Sequence, residues 1–198
     1  MSLLEVAPER AGVTQRQRWG HYFVLIYAVL SILIGINLRE SSLNAVVQYS
    51  NSQAGIRAFY PQGWLLDSEG DYVFRVRDMT APSFKTTFQV ATEPLASTAS
   101  ARNAVDLLTL RRSQLSAYQI LSRSQIVLSN EQEALAVEYA YASTDDDPFL
   151  SQLPRIVAGV DIIVIQRGQA IIITFLSDVD SFDRNYVAFQ RFLDALVF

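Results

Sequence analysis

Apolar residues occupy every face of the stretch from Phe23 to Ile36, while later segments place them at two-residue or at three- and four-residue spacing. The run from Trp19 to Leu38 holds 20 residues with no Asp, Glu, Lys or Arg. At about 1.5 Å per residue a helix there spans about 30 Å, the thickness of a bilayer core. A soluble surface helix would keep a polar stripe, so the pattern predicts one transmembrane helix over 19–38. From Ser41 to Ala58 the chain turns to Ser, Asn, Gln and Ala without a strong period, which predicts a linker.

Beyond the linker the period is legible. Pro61 and Gly63 set a turn between Tyr60 and Trp64, and Tyr72 to Arg77 and Phe84 to Val90 alternate as strands with one face in a core. From Asn103 to Tyr118, residues Ala104, Leu107, Leu108, Leu115 and Tyr118 predict an amphipathic helix, with Ser100 or Asn103 as its cap. Strands resume at Ser124 to Leu128 and Ala134 to Ala142. In the second, Leu135, Val137, Tyr139 and Tyr141 share one face, and small Ala residues let a helix pack on the other. The apolar runs Ile156 to Ile165 and Ala170 to Leu176, joined at Arg167-Gly168, predict a hairpin covered on both sides. Phe182, Tyr186, Phe189, Leu193 and Leu196 predict a closing helix whose aromatic stripe lies on the sheet.

Charge orients this arrangement. Arg10, Arg16 and Arg18 precede the apolar run and Arg39 follows it, so the positive-inside rule predicts a cytoplasmic tail over 1–18 and an exported C-terminal part. Trp19, His21 and Tyr22 cluster at the first membrane boundary as interfacial anchors. A basic segment before an apolar run is also the outline of a cleavable signal. Here the run is long and Ser42-Leu43-Asn44 is a poor cleavage site, so the anchor is expected to be retained. The net charge of −4 divides into +2 for residues 1–39 and −6 for residues 40–198. An acidic exported part lacks the positive field that nucleic-acid binding needs.

The residue inventory narrows the chemistry further. With no Cys and one His, disulfides, thiolate nucleophiles, iron–sulfur clusters and multi-His metal centres are excluded. His21 could ligate a haem or chlorophyll-type pigment, but its place at the membrane edge suits anchoring instead. Asp145-Asp146-Asp147 and the set Asp178, Asp180 and Asp183 offer oxygen ligands without calcium-loop spacing, and read as a solvated loop and a helix start. There is no Gly-x-Ser-x-Gly elbow or phosphate-binding glycine loop, and the only Lys, Lys85, sits on an alternating strand. No catalytic residue, cofactor site or metal site is expected. In the apolar helix, Ala28, Ser31 and Gly35 place small residues on one face, where another helix can approach closely.

The order of elements, from Tyr60-Pro61-Gln62-Gly63-Trp64 through strands, a helix, four further strands and an aromatic closing helix, resembles the PsbP-like fold family. The resemblance covers about Phe59 to Phe198. It also rests on Gly168 and on Phe189-Gln190-Arg191-Phe192-Leu193-Asp194-Ala195-Leu196, which looks like the family's closing helix. It implies an α+β domain over 59–198, with a central antiparallel sheet flanked by helices, here preceded by one N-terminal transmembrane helix and a linker over 39–58. That family includes the extrinsic oxygen-evolving protein of photosystem II, a Ran-binding nuclear-import factor and many bacterial exported domains. Its shared motifs are core positions, and its members act mainly as accessory subunits or binding modules. The resemblance therefore implies a non-catalytic accessory subunit of a bacterial membrane electron-transfer complex, photosynthetic or respiratory. Its partners would be polytopic membrane subunits and the lipid bilayer, with no nucleic acid and no cofactor of its own. The alternative is a free-standing membrane-anchored module that binds a lipid or other apolar ligand.

Overall fold

The computed structural model describes residues 15–43, 45–82, 84–95, 100–144 and 154–198. Asp145, Asp146 and Asp147 lie outside them. The chain divides into two units, Met1–Ala45 and Val46–Phe198.

The first unit is built on α1 (Gln15–Leu43), 29 residues without a break, of which Arg18–Ser42 is long and apolar enough to cross a membrane. Its helical ends outrun the uncharged core by several residues. Arg39 to Leu43 continue the helix because no Pro or cap residue stops it at Leu38.

The second unit centres on a seven-stranded antiparallel sheet. Its strands are β3 (Leu65–Asp67), β4 (Phe74–Arg77), β5 (Thr87–Pro94), β6 (Gln119–Val127), β7 (Glu133–Ser143), β8 (Arg155–Gln166) and β9 (Gln169–Asp178). They run in the spatial order β3-β4-β5-β9-β8-β7-β6. The β8–β9 hairpin lies near the middle and closes through Arg167 and Gly168, both at positive φ (51° and 78°), the two-residue turn whose twist matches that of the strands. It is covered on both sides, as its unbroken apolar runs require. Val160, Ile162, Ile173 and Phe175 enter one core, and Ile163, Ala170 and Ile172 enter the other.

The larger core is closed by α3 (Phe182–Asp194), which follows a single tight turn at Val179–Ser181. Phe189 and Phe192 are its buried residues, with Phe182, Tyr186 and Leu193 packed partly around them. The helical stripe thus includes Phe192, which the four-and-three spacing passed over. Ala134 and Ala136 of β7 face this core.

The expected linker over 39–58 is corrected by the structure. After α1 ends, β1 (Val46–Asn51) and β2 (Ile56–Pro61) form a two-stranded hairpin that belongs to the second unit. Ile56, Ala58 and Tyr60 are buried in the larger core. The Tyr49 hydroxyl donates to the Val73 carbonyl at 3.0 Å, and Arg57 exchanges backbone hydrogen bonds of 2.8 Å with Val197 beside the C-terminus. β1 escapes a pattern search because Val46, Val47 and Gln48 are all exposed, which leaves no apolar alternation to read.

The other face carries α2 (Ala101–Arg112). The expected helix to Tyr118 ends six residues early. Ser113 caps it, and Ala117 takes a positive φ of 52° that no continuing helix tolerates. Its buried residues are Ala104 and Val105, whereas Leu107 is 42% exposed. The chain after it enters β6 at Gln119, five residues before the expected strand.

Phe189 touches the rings of Phe88, Phe175, Tyr186 and Phe192 at centroid distances of 4.9–6.2 Å. Phe189→Ala should therefore lower unfolding stability by about 3–5 kcal/mol, read from the midpoint of denaturant unfolding.

Candidate functional site

A charged residue inside an apolar strand has to be paired or neutralised, and Asp161 lies in the middle of β8 at 1% exposure. Register sets its surroundings. Thr174 of β9 lies directly across from it on one side and Val137 of β7 on the other, all on the α2 face of the sheet. The charge that meets it comes from α2. That helix starts at Ser100, whose backbone N–H and hydroxyl both donate to Asn103 Oδ1, at 2.9 and 2.7 Å. Its last turn places Arg111 and Arg112 where cations complement the carbonyl end of the helix.

Arg112 Nη2 donates to Asp161 Oδ1 at 2.6 Å and to Thr174 Oγ1 at 3.2 Å. Thr174 donates to the same carboxylate oxygen at 2.7 Å, and the Tyr139 hydroxyl approaches it at 3.5 Å. The Arg112 guanidinium also lies 4.6 Å over the Tyr139 ring, which packs 5.4 Å from Tyr118. The floor beneath Tyr139 is Gly159, its direct partner across the β7–β8 ladder. A Cβ at Gly159 would stand 2.5 Å from the ring, so only glycine allows this approach.

Burial pushes the Asp161 carboxyl above the usual carboxylate range, against the pull of Arg112 and of the Thr174 hydrogen bond. Burial also raises Tyr139 well above the ordinary phenol range. A second polar group sits at the far edge of the same face. Asp67 of β3 accepts from the Tyr72 hydroxyl and from Arg75 at 2.7 Å each, and from the Glu69 N–H, and these bonds hold its carboxyl well below the usual range.

The centre is a closed clamp: Asp161 is 1% exposed and is held by Arg112 and Thr174, with the Tyr139 hydroxyl beside them. Among the described residues no group of three or more His, Cys, Asp or Glu is placed to hold a metal ion. Asp178 and Asp180 start the turn before α3, with the Asp180 N–H donating to Asp178 Oδ1 at 3.1 Å, which is the helix-start arrangement. Open space occurs elsewhere. A cleft of about 1150 Å³ lies between the start of α2 and the β6–β7–β8 edge, with Val105, Leu135 and Ile163 in its walls and Arg102, Asp106 and Arg123 at its rim.

The residues singled out on α1 form a separate set. Ala28, Ser31 and Gly35 all lie on α1, exposed, within an arc of about 60° at 3.6 residues per turn. Trp19 contacts the Tyr22 ring edge-on at 6.5 Å and also the Phe23 ring at 6.1 Å, while His21 is exposed on the same turn.

The sequence reading missed Asp161 and Arg112, although both leave a signal. Asp161 is the one charge within Ile156 to Ile165, and Arg112 continues the sheet-facing spacing of Val105 and Leu108. A cation on a buried stripe and an acid in a buried strand call for each other.

The fold places the Val46–Phe198 unit in a known class. It has the PsbP-like fold, an α+β domain with a large antiparallel sheet between helices. Cyanobacterial PsbP (CyanoP) from Synechocystis sp. PCC 6803 is similar to it with a TM-score of 0.55 at 13% identity, over 77% of this chain and 92% of that one. LpqN, described as involved in cell envelope biogenesis of Mycobacterium tuberculosis, is similar with a TM-score of 0.53 at 13% identity, over 77% and 90%. The Saccharomyces cerevisiae Ran-binding protein Mog1p is similar with a TM-score of 0.51 at 9% identity, over 77% and 95%. No protein-family model and no curated protein sequence matches the chain.

The clamp yields a stability prediction. In Arg112→Leu the buried carboxylate loses its partner, which should cost about 3–5 kcal/mol at neutral pH. The Asp161 pKa in the folded state then lies further above its unfolded value. The folded form binds the extra proton, and stability falls as pH rises from the ordinary carboxylate value of 3.8. The deficit should therefore shrink towards pH 4 and be largely relieved by adding Asp161→Asn, as read by denaturant titrations at two pH values.

Proposed function

We propose that this protein is a non-catalytic accessory subunit of a bacterial membrane electron-transfer complex. In this reading α1 packs among polytopic subunits and the PsbP-like domain sits on the extracytoplasmic side. The observation that carries the reading is α1 itself: 29 residues of continuous helix whose apolar side chains are exposed among the described residues, with Ala28, Ser31 and Gly35 aligned on one face. In lipid, helices associate by close packing and not by hydrophobic exclusion, so an aligned small-residue face is the part of such a helix that gains from a neighbour. The electron-transfer setting draws on the likeness to cyanobacterial PsbP and stands apart from the anchoring argument. The clamp supports a structural role for the deeply buried Asp161, because the Arg112 bond ties α2 to β8.

The cleft beside α2 favours a second reading, a membrane-anchored module for an apolar ligand, because Val105, Leu135 and Ile163 give it partly apolar walls. Extraction in mild detergent followed by size separation and mass spectrometry distinguishes the two. The subunit reading expects this chain in fixed stoichiometry with polytopic, cofactor-bearing proteins, and expects Ser31→Leu with Gly35→Leu to release it. Migration as a lone chain with a bound apolar molecule would select the second reading. Orientation is tested separately: a reporter after Phe198 that requires export should be active, and one that works only in the cytoplasm should be silent.

A further inference from the structure

We infer that β6 is a self-pairing edge, which joins antiparallel to β6 of a second copy and makes one sheet continuous through both domains. β6 ends the seven-stranded sheet, and among the described residues only β7 pairs with it. The opposite edge is blunted by its length, because β3 has three residues. β6 has nine, without Pro and with Arg123 as its single charge. A bulge interrupts its register between Ile120 and Ser122, but Ser122 to Val127 then pair regularly with β7, which leaves that stretch straight enough to take another strand. Two large apolar residues, Leu121 at the bulge and Val127 at the end of the regular stretch, are 60% and 71% exposed on this edge strand.

The residues of the edge choose the partner. In an antiparallel pair centred on Ser124, Leu121 of each copy meets Val127 of the other, Ser122 meets Ile126, Arg123 meets Gln125, and Ser124 meets itself. Both exposed apolar side chains are covered twice, and no like charges stand opposite. Centring on Arg123 would set two guanidinium groups face to face, and centring on Ser122 would set Leu121 against Arg123 and leave Val127 uncovered. Charge is compatible with this edge: residues 40–198 carry a net −6, yet β6 holds no acidic residue, so no two carboxylates stand opposite each other in the ladder. Where α1 confines copies to one bilayer, the raised local concentration favours a ladder that would be weak in dilute solution.

The chain has no Cys, so a single introduced thiol reports its own neighbours. Full-length Ser124→Cys in native membranes should form a disulfide-linked homodimer under mild oxidation. Its yield should be several-fold above that of Ser50→Cys on exposed β1, because directly opposed residues bring their Cβ atoms to about 4–5 Å. Arg123→Cys mixed with Gln125→Cys should cross-link better than either alone, which reports the register. Adding Leu121→Lys with Val127→Lys to Ser124→Cys sets lysines opposite each other at both ends and should abolish the dimer; both sites are exposed, so the fold is spared. A Ser124→Cys yield no higher than the control, a cross-link to a different protein instead, or a dimer insensitive to the lysines would each overturn self-pairing.

Discussion

The packing of α3 against β5 and β9 is the interaction on which the rest of the domain depends. Phe88 touches Trp64, Phe175, Phe189 and Phe192 with ring centroids 4.6–5.7 Å apart, so the entry turn, two central strands and the closing helix meet at one side chain. Aromatic rings bury large areas and fix their mutual angles, which gives this contact geometry as well as energy. Once α3 is seated, the chain end lies where Val197 pairs with Arg57, and that pairing holds the β1–β2 hairpin over the same core. The first and last segments of the domain are thus placed by one cluster.

The opposite face is organised by a different balance. Its apolar cluster is smaller, and α2 contributes only Ala104 and Val105 as buried residues. Thr174 and Asp161 run through the middle of this face, with Gln89 and Arg75 beyond them towards the β3 edge, so a helix laid there meets polar groups it has to satisfy. Arg112 does so at the cost of desolvating a guanidinium, and it adds a position: the bond to Asp161 fixes where along β8 the helix ends. A face with modest apolar area is one where a paired charge can set register that packing alone leaves loose. Gly159 is the local condition for this arrangement, since it lets the Tyr139 ring lie flat beneath the guanidinium.

How much of this was legible in the sequence follows from burial. The β8–β9 hairpin and α1 were readable as apolar runs of ten or more residues, and α3 as a helical spacing kept over thirteen. β1 was not, because its first three residues face outward and its anchoring runs through a Tyr49 hydrogen bond and ring contact, not through alternation. The end of α2 was misread because Leu115 and Tyr118 continue a helical spacing by chance, while the turn at Ala117 depends on backbone geometry that composition does not advertise. The clamp was hidden for another reason. Arg112 and Asp161 are 49 residues apart, and pairing them requires knowing that α2 crosses β8.

Likeness at 9–13% identity shows a shared fold and says nothing of what the surfaces around its core do. The aromatic cluster is dry and the clamp is closed, and both are spent on holding the domain together. Among the described residues three surfaces stand outside these contacts. One is α1, with its apolar side chains exposed along its whole length; another is the cleft beside α2; the last is the open edge of β6. Each recognises a different kind of surrounding. The first suits lipid and helices, the second a molecule small enough to enter, and the third a strand with complementary spacing. Arg112 and Thr174 hold Asp161 from two elements, so the bonds at this acid tie α2 to the sheet and leave the edges free to vary without disturbing the core that defines the fold.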